Sequence, residues 1–298
     1  MGAIEGSDTL LALSAFFLIV FIPLTSQVFV FLPWLRPVTV NSGLVLFVFN
    51  GCVGMLILNY YLCVTTDPGR VAPGWEPEGL GQFGELEATS LTNGGETITG
   101  LPRYCRICNG FKPPRTHHCK RCGRCILRMD HHCQWLNNCI GHHNHGHFIR
   151  FLIFTVLSCG MCMVMIFARL LDLVREAFKE GTKPEPLGLV PVLFIAVNMC
   201  LLVPLTSILA MLLSQQLRNM YRNLTTIEYL EKIDASFAYD ESFAADPYDL
   251  GCLENTAVIL GDSPMLWLIP QRMKGDGHVF ICKGDIEGFA SDHKRPWE

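Results

Sequence analysis

The chain has 298 residues, of which half are apolar and only 17% are charged, and its formal net charge is −4. A soluble domain of this size carries about 25% charged residues, so the composition predicts an integral membrane protein. The mild negative charge lacks the basic footprint of a nucleic-acid-binding protein. We therefore expect a lipid bilayer and no nucleic acid among its partners.

Four segments are apolar enough to cross a bilayer, which takes about 20 helical residues. They are residues 10–35, 43–64, 148–171 and 187–214. The first is too long for a signal-peptide core and follows no basic residue, so we interpret it as a retained span. The middles of the four segments lack charged residues, which disfavours a pore or a pump.

Basic residues in the connections predict the orientation. Nine lysines and arginines lie between the second and third segments and eight after the fourth, against one and three in the other two connections. Such residues remain on the cytosolic side of a membrane. We therefore expect the central loop, the C-terminal tail and, by parity, the N-terminus in the cytosol.

The pattern along the chain predicts five parts. Residues 1–64 carry the N-terminus and the first two spans, and residues 65–104 form a cytosolic linker. Within it, residues 71–100 lack Lys and Arg and hold five glutamates, which favours a flexible segment. Residues 105–148 form a cysteine-rich domain, residues 149–214 the last two spans, and residues 215–298 a cytosolic tail. In the tail, "SPMLWLIP" is apolar enough to lie against the membrane or the core.

Cysteine and histidine cluster in the central loop. Seven of the 14 cysteines lie between Cys105 and Cys139, and eight of the ten histidines lie between His117 and His147. This indicates metal and a reducing compartment rather than disulfides. Zinc prefers four such ligands in a tetrahedron, and Cys-x-x-Cys pairs aim two thiolates at one ion. Two closed sites, each of three cysteines and one histidine, leave one cysteine over, and counting does not decide which.

The segment "MDHHCQW" favours Cys133 as the spare cysteine. His131 precedes it by two residues, and an imidazole can take the proton of an attacking thiol. Asp130 precedes the histidine, and a carboxylate can orient the imidazole and stabilise its protonated form. His132 is then free to bind metal. The alternative, a non-catalytic membrane-anchored zinc-binding interaction module, explains the metal ligands equally well.

The stretch "CRICNGFKPPRTHHCKRCGRCILRMDHHCQWLNNCIGHHNHGHF" strongly resembles the cysteine-rich domain of the DHHC family of protein S-acyltransferases, or palmitoyltransferases. "DPG" at 67–69, "TTIE" at 225–228 and "YDLGCLEN", ending at Asn255, resemble further motifs of that family, and Asn144 and Phe148 match the close of its domain. "PGWEP", "YDLG" and the long linker are most similar to the fungal endoplasmic-reticulum subgroup. The resemblance implies an all-α polytopic membrane protein with four transmembrane helices and a small cytosolic zinc-binding cysteine-rich domain.

The resemblance also implies two structural zinc ions and a catalytic group. The first zinc would be bound by Cys105, Cys108, His118 and Cys125, and the second by Cys119, Cys122, His132 and Cys139. Cys133 would be the nucleophile, with Asp130 and His131 as its activating pair. Gln134 stands where the family usually has proline, which fixes φ. Its loss can loosen the turn but removes no reacting group, so activity is expected.

The implied reaction moves a palmitoyl group from palmitoyl-CoA through Cys133 to membrane-proximal cysteines of substrate proteins. Three aromatic residues are placed to line the mouth of an acyl-chain cavity: Trp135, Phe148 and Phe151. Small residues, namely Ser158, Cys159 and Gly160, would leave that cavity deep. Four basic residues are candidates for the CoA phosphates: Lys120, Arg121, Arg124 and Arg128. The alternative, that these charges only keep the loop cytosolic, stays open.

Two further expectations concern place and surroundings. The protein should be a multi-pass endomembrane protein, with the endoplasmic reticulum ahead of the Golgi, and the sequence names no accessory subunit. Four histidines exceed the number that the family pattern needs: His142, His143, His145 and His147. We interpret them as part of a solvated or membrane-surface loop rather than as a third metal site.

Overall fold

The computed structural model describes residues 2–77, 103–179, 187–237 and 246–283. Most of the predicted flexible linker and the last residues of the tail lie outside these ranges. The chain forms two compact units. The first contains Met1–Thr9, Leu62–Phe148 and Gln216–Glu298, and the second contains Leu10–Tyr61 and Ile149–Gln215.

Long apolar helices dominate the described chain. They are α1 (Gly2–Ser26), continued by a π-helical turn (Gln27–Phe31) and α2 (Leu32–Trp34), then α3 (Val40–Thr65), α4 (His145–Ala177) and α5 (Leu189–Tyr221). Four helical stretches in the described ranges are long and apolar enough to cross a membrane: Gly6–Trp34, Val40–Thr65, His145–Ala177 and Leu189–Tyr221. The predicted fold class is thus confirmed, although α4 and α5 continue as helix beyond the apolar runs.

The second unit has a buried apolar core and also exposes many apolar side chains. Phe31 and Phe49 are fully buried, whereas Phe47 is 76% exposed and Met211 is 74% exposed. Apolar surface on this scale marks contact with a membrane or a partner. Inside the unit, Asn198 donates hydrogen bonds to the hydroxyl groups of α1, which is the polar helix packing typical of membrane bundles.

Three small antiparallel hairpins form the cysteine-rich part of the first unit. Their strands are β1 (Tyr104–Cys105), β2 (Gly110–Phe111), β3 (His117–Cys119), β4 (Arg124–Ile126), β5 (His131–Cys133) and β6 (Asn138–Ile140), paired in chain order. The three turns end at residues with positive φ, namely Asn109, Gly123 and Asn137. Glycine and asparagine reach this left-handed region at low cost, so the turn sequence matches the hairpin geometry.

The segment after α3 packs closely against the hairpins. Gly141 comes so near that a Cβ there would lie 2.6 Å from the carbonyl oxygen of Pro68 and 2.9 Å from that of Leu127. The Leu127 amide donates to the Gly69 carbonyl (3.0 Å), and Arg124 Nη1 donates to Asp67 Oδ2 (2.7 Å). The Asp-Pro-Gly motif therefore anchors the end of α3 to the second and third hairpins.

The tail completes the first unit with α6 (Thr226–Phe237), α7 (Cys252–Leu260) and a single 3₁₀ turn (Pro264–Leu266). Asn255 at the start of α7 is fully buried and donates to the carbonyl of Tyr221, the last residue of α5. Met265 is 94% exposed and Ile269 is 53% exposed. The "SPMLWLIP" segment therefore does not enter the core of this unit, and its contact with a membrane stays a prediction.

Candidate active site and metal centres

Strand alternation separates the functional side chains of β5. Successive side chains of a strand point to opposite faces. His131 and Cys133 therefore share one face, while His132 points to the other. In β3 the same rule sends His118 and Cys119 to opposite sides. Neighbouring residues of one short strand can thus serve different centres.

The first metal group contains the four ligands that the family resemblance implied. His118 Nδ1 lies 3.6 Å from Cys105 Sγ, 3.2 Å from Cys108 Sγ and 4.0 Å from Cys125 Sγ. Tetrahedral zinc with bonds of about 2.0–2.3 Å would place such atoms about 3.5–3.8 Å apart. The ligand atoms therefore fit one ion of this kind.

The second metal group has the same composition and is more buried. His132 Nδ1 lies 3.5 Å from Cys119 Sγ and 3.4 Å from the Sγ atoms of Cys122 and Cys139. Within each group all four ligand atoms lie within 4.8 Å of one another, and these two groups are the ones that the described ranges contain. The prediction of two sites that could hold metal ions is confirmed at this level.

The hairpins repeat every 14 residues, a signal that the sequence analysis missed. Cys105 pairs with Gly110, Cys119 with Arg124, and Cys133 with Asn138, always five residues apart. Cys133 thus occupies the position of a metal cysteine in the third repeat, but its Cys-x-x-Cys partner is replaced by Leu136. The third hairpin lacks the second thiolate, and Cys133 belongs to neither metal group.

His131 connects Cys133 to a buried carboxylate. His131 Nδ1 lies 2.7 Å from Asp130 Oδ2, and Cys133 is near enough to the imidazole to help raise its pKa. Since Nδ1 is occupied by Asp130, Nε2 is the atom available to Cys133. The ring of Phe148 packs edge-on against the imidazole with centroids 5.1 Å apart, which fixes the orientation of the ring.

The charge states of this pair follow from opposing effects. Burial alone would lower the pKa of His131, but hydrogen bonds and charge interactions with Asp130 and Cys133 raise it to about 10. Burial would raise the pKa of Asp130, whereas the neighbouring His145 and His131 and a backbone hydrogen bond hold it well below its usual value. Asp130 is therefore ionised at neutral pH, and His131 readily takes up a proton.

Two residues distant in sequence, one near the end of α5 and one at the start of α6, also donate hydrogen bonds to Asp130. The Thr226 amide donates to Asp130 Oδ1 (2.8 Å), and its hydroxyl donates to Oδ2 (2.9 Å). Gln216 Nε2 also donates to Oδ2, at 3.1 Å. Thr226 belongs to the stretch that resembles a family motif, but the motif does not predict its contact, and a lone glutamine such as Gln216 carries no sequence pattern that predicts one.

A buried chain of donors fixes the orientation of Gln216. Arg128 can only donate, so His145 Nδ1, 2.9 Å away, must accept and Nε2 must carry the proton. Nε2 then donates to Gln216 Oε1 at 3.1 Å, which turns the amide nitrogen towards Asp130. Arg128 and His145 are both fully buried. Together they ensure that the amide nitrogen of Gln216, and not its oxygen, faces Asp130.

The interpretation of the four extra histidines as part of a solvated or membrane-surface loop is wrong for three of them, which are buried in the protein. His142, His145 and His147 are 1%, 0% and 8% exposed. His145 and His147 lie in the first turn of α4, and His142 Nε2 donates to the Gly275 carbonyl in the tail at 3.0 Å. His143 is exposed, as expected.

An ion pair between buried Arg115 and partly buried Glu228 holds the start of α6. Glu228 and Thr225 form a reciprocal capping box, in which Glu228 Oε2 accepts from the Thr225 amide at 2.8 Å and Thr225 Oγ1 accepts from the Glu228 amide at 3.2 Å. Arg115 donates two hydrogen bonds of 2.7 Å to the Glu228 carboxylate. This arrangement fixes α6 on the hairpins and so places Thr226 against Asp130.

The basic residues proposed for the CoA phosphates have different surroundings. Arg128 is fully buried and bonded to Asn223 and His145, so its assignment to CoA is wrong. Arg121 is half-exposed and paired with Asp8, and Arg124 is paired with Asp67. Lys120 is exposed.

The residues proposed for the acyl chain belong to both units. Trp135 is half exposed beside Cys133, and Phe148 is buried against His131. Phe151 and Ser158 lie in the second unit, where Phe151 packs against Tyr60 with ring centroids 5.8 Å apart and Ser158 is buried.

Comparison with known proteins identifies the family. Residues 98–233 match the family model described as DHHC palmitoyltransferase. Palmitoyltransferase PFA4 of Mycosarcoma maydis is 38% identical over 293 residues, covering 91% of this chain and 60% of that protein. Probable protein S-acyltransferase 16 of Arabidopsis thaliana is 32% identical, with 83% of both chains covered. Probable protein S-acyltransferase 13 of the same plant is 34% identical, covering 83% of this chain and 78% of that protein.

The chain belongs to the DHHC palmitoyltransferase family. The resemblance stated from the sequence is confirmed, and so, at the level of the family, is the prediction of a protein S-acyltransferase. A fungal member is among the relatives, in agreement with the predicted fungal similarity. The chain spans less than two thirds of the length of that fungal relative.

Proposed function

We propose that this DHHC protein transfers a long-chain acyl group from acyl-CoA to protein cysteines through a thioester on Cys133. The observation that carries the proposal is the position of Cys133. It lies outside both metal groups, on the same face of β5 as His131, whose other nitrogen is bound to Asp130. This is the arrangement of a nucleophile, its base and the group that orients the base.

In the first step Cys133 Sγ attacks the carbonyl carbon of the acyl-CoA thioester. His131 Nε2 holds the proton taken from the Cys133 thiol before the attack, in agreement with its raised pKa, and Asp130 stabilises this imidazolium. The bond between the carbonyl carbon and the CoA sulfur breaks. The CoA thiolate leaves with a proton from His131, and the acyl group remains on Cys133.

In the second step the thiol of a substrate protein attacks the thioester on Cys133. His131 accepts the proton of the incoming thiol and returns it to the departing Cys133 sulfur. One thioester replaces another in both steps, so the enzyme lowers barriers and needs no energy source.

We further propose zinc as the ion in both metal groups. Three thiolates and one imidazole are the ligand set of closed structural zinc sites, which leave no position for water or substrate. The first ion would be held by Cys105, Cys108, His118 and Cys125, and the second by Cys119, Cys122, His132 and Cys139. When bound, zinc supplies folding free energy to hairpins that have little apolar core.

The membrane setting extends the proposal. The basic loops support a cytosolic cysteine-rich domain at 105–148 and a cytosolic tail at 215–298, and the protein would be a multi-pass protein of the endoplasmic reticulum. The substrates would be proteins with membrane-proximal cysteines. Lys120 and Arg124 would bind the CoA phosphates, and Lys120→Glu should then raise the KM for palmitoyl-CoA without changing the zinc content.

The acyl chain would be bound largely by apolar side chains, since each buried methylene contributes about 0.8 kcal/mol. Trp135, Phe148 and Phe151 would line its path. In α4, a Cβ added at Gly160 would meet no neighbouring atom within 4 Å, and Ser158 is small and buried. Ser158→Phe should therefore shift the preference towards shorter chains, and an unchanged chain-length profile would refute this part of the proposal.

The proposed function is tested by transfer in a reconstituted membrane. Native protein and Cys133→Ala are placed in liposomes with alkyne-tagged palmitoyl-CoA and a membrane-anchored peptide that carries one cysteine. We expect hydroxylamine-labile label on the peptide in the sample with native protein and none in the sample with Cys133→Ala, when the two proteins have equal zinc content. Transfer by Cys133→Ala at the native rate would refute the role of Cys133. No transfer by folded, zinc-loaded native protein would favour the non-catalytic zinc module instead.

A further inference from the structure

The start of α1 contributes a buried carboxylate to the first unit. The side chain of Asp8 is 4% exposed, although six residues precede it in a helix that begins at Gly2. Its two oxygens lie 2.7 and 2.8 Å from Arg121 Nη1. A carboxylate removed from water to this extent requires partners, and Arg121 is the first of them.

The second partner of Asp8 is a proposed metal ligand. Asp8 Oδ2 lies 3.2 Å from His132 Nε2. The other nitrogen of the same imidazole, Nδ1, points to the three thiolates of the second metal group. A neutral imidazole that presents a lone pair at Nδ1 carries its proton at Nε2. The His132 N–H therefore donates to Asp8.

The neighbouring residue adds a contact to the hairpin that carries His132. Asn137 Nδ2, in the turn between β5 and β6, donates to Thr9 Oγ1 at 3.3 Å. Arg121 lies in the turn between β3 and β4, between the ligands Cys119 and Cys122. Residues 8 and 9 thus contact both hairpins that supply the second metal group.

We propose that Asp8 is a positioning residue for the second zinc, forming a carboxylate–histidine–zinc arrangement with His132. Carboxylates that accept the outer N–H of a ligating histidine fix its tautomer and ring orientation and increase its donor strength. Removing such a partner costs about 10–100-fold in metal affinity. Arg121 orients the carboxylate and balances its charge. This inference rests on the zinc assignment and not on acyl transfer.

The proposed role distinguishes the two metal groups, which have identical ligand sets. His118 of the first group has no carboxylate partner within the described ranges, whereas His132 has Asp8. Loss of the Asp8 carboxylate should therefore loosen the second group selectively. A purely structural role in attaching α1 to the hairpins would affect both groups together.

The test is site-resolved zinc retention in the purified full chain. Native protein, Asp8→Ala and Asp8→Asn are exposed to a chromogenic zinc chelator and to an alkylating reagent, and modified cysteines are identified by mass spectrometry. Asp67→Asn is the matched control, because Asp67 also pairs with an arginine of the hairpins but contacts no ligating histidine. Before chelation, the native protein should contain two zinc ions per chain.

In Asp8→Ala we expect one of the two zinc ions to be released about 10–100 times faster, with Cys119, Cys122 and Cys139 alkylated ahead of Cys105, Cys108 and Cys125. Asp67→Asn should retain the native order and rate. The proposal is overturned if, in Asp8→Ala, the three cysteines of each metal group are equally protected from alkylation, or if zinc is lost equally from both groups. If Asp8→Ala does not fold, Asp8→Asn decides, because it keeps the size of the side chain but not the charge. Native protection of Cys139 in that variant overturns the proposal as well.

Discussion

At the residue scale, the carboxyl group of Asp130 has the most demanding environment in the site. It is fully buried, yet hydrogen bonds from His131, Thr226 and Gln216 hold it in its charged form. A buried charge that loses its partners is expensive. The same partners fix the direction of the carboxylate and therefore that of the His131 ring.

Asp130→Asn should slow acyl-enzyme formation by about 10²–10⁴-fold, the usual contribution of general acid–base catalysis. Without the carboxylate charge, burial dominates and lowers the pKa of His131, so the imidazole takes the thiol proton less readily. The measurement is the single-turnover rate with tagged palmitoyl-CoA. Asp234→Asn, an exposed change on α6, is the control, and equal rates in the two variants would contradict the role of Asp130.

His131 predicts a pH dependence of stability. Its pKa is raised to about 10 in the folded protein, above the value of about 6.5 in an unfolded chain. The stabilisation from its protonated form is then fully present below about pH 6.5 and is lost as the pH rises through about 10. His131→Gln should therefore lower the melting temperature most at or below about pH 6.5 and progressively less as the pH rises towards 10. A melting-temperature difference that is constant with pH would refute this.

At the element scale, α6 carries two adjacent threonines with different tasks. Thr225 closes the capping box with Glu228, while Thr226 reaches Asp130 through both its amide and its hydroxyl. Arg115 holds the box against the hairpins through Glu228. The first turn of this helix thus connects the tail to the active site.

Thr226→Ala and Thr225→Ala separate the two tasks. Thr225→Ala loses a cap, which costs about 0.5–2 kcal/mol of stability, but leaves Asp130 untouched. Thr226→Ala removes a hydrogen bond to a charged group, worth about 1.5–3 kcal/mol, and should slow acyl-enzyme formation about tenfold or more. Melting temperature and single-turnover rate are measured for both variants. A Thr225→Ala enzyme as slow as Thr226→Ala would show that the cap, and not the contact with Asp130, limits the rate.

The sequence predicted the features that depend on residues near one another in the chain. Spans followed from apolar length, and the resemblance to the family's cysteine-rich domain supplied the ligand sets that the hairpins assemble. Side-chain alternation in β5 places His131 and Cys133 on one face and His132 on the other. This could not be predicted, because a strand of three residues is too short to show a pattern in the sequence. The burial of His142 and His145 was mispredicted because their partners, Gly275 in the tail and Gln216 in α5, are distant in sequence.

At the scale of the whole molecule, the two units depend on different forces. The second consists of apolar helices whose exposed faces suit a membrane. The first contains short hairpins with little apolar core, whose two Cys/His groups could hold metal ions. The contacts of Asp8 and Gln216 with the hairpins join residues more than 80 positions apart, which no periodicity in the sequence predicts.

Removal of metal should therefore affect the units unequally. Zinc binding and folding are coupled in small domains of this type, whereas long helices in a membrane-like environment satisfy their own backbone groups. After chelation in detergent we expect loss of acyl-enzyme formation and alkylation of the six metal cysteines. The helical circular dichroism should be largely retained. Native acylation by protein shown to be free of metal would contradict this account.

The most direct measurement is the location of the acyl group on the enzyme. Zinc-loaded protein is exposed briefly to tagged palmitoyl-CoA without a protein substrate, digested, and mapped by mass spectrometry with and without hydroxylamine. The account predicts a hydroxylamine-labile acyl group on Cys133 and none on the six metal cysteines. Label confined to another cysteine such as Cys252 or Cys282, with Cys133 unmodified, would contradict it.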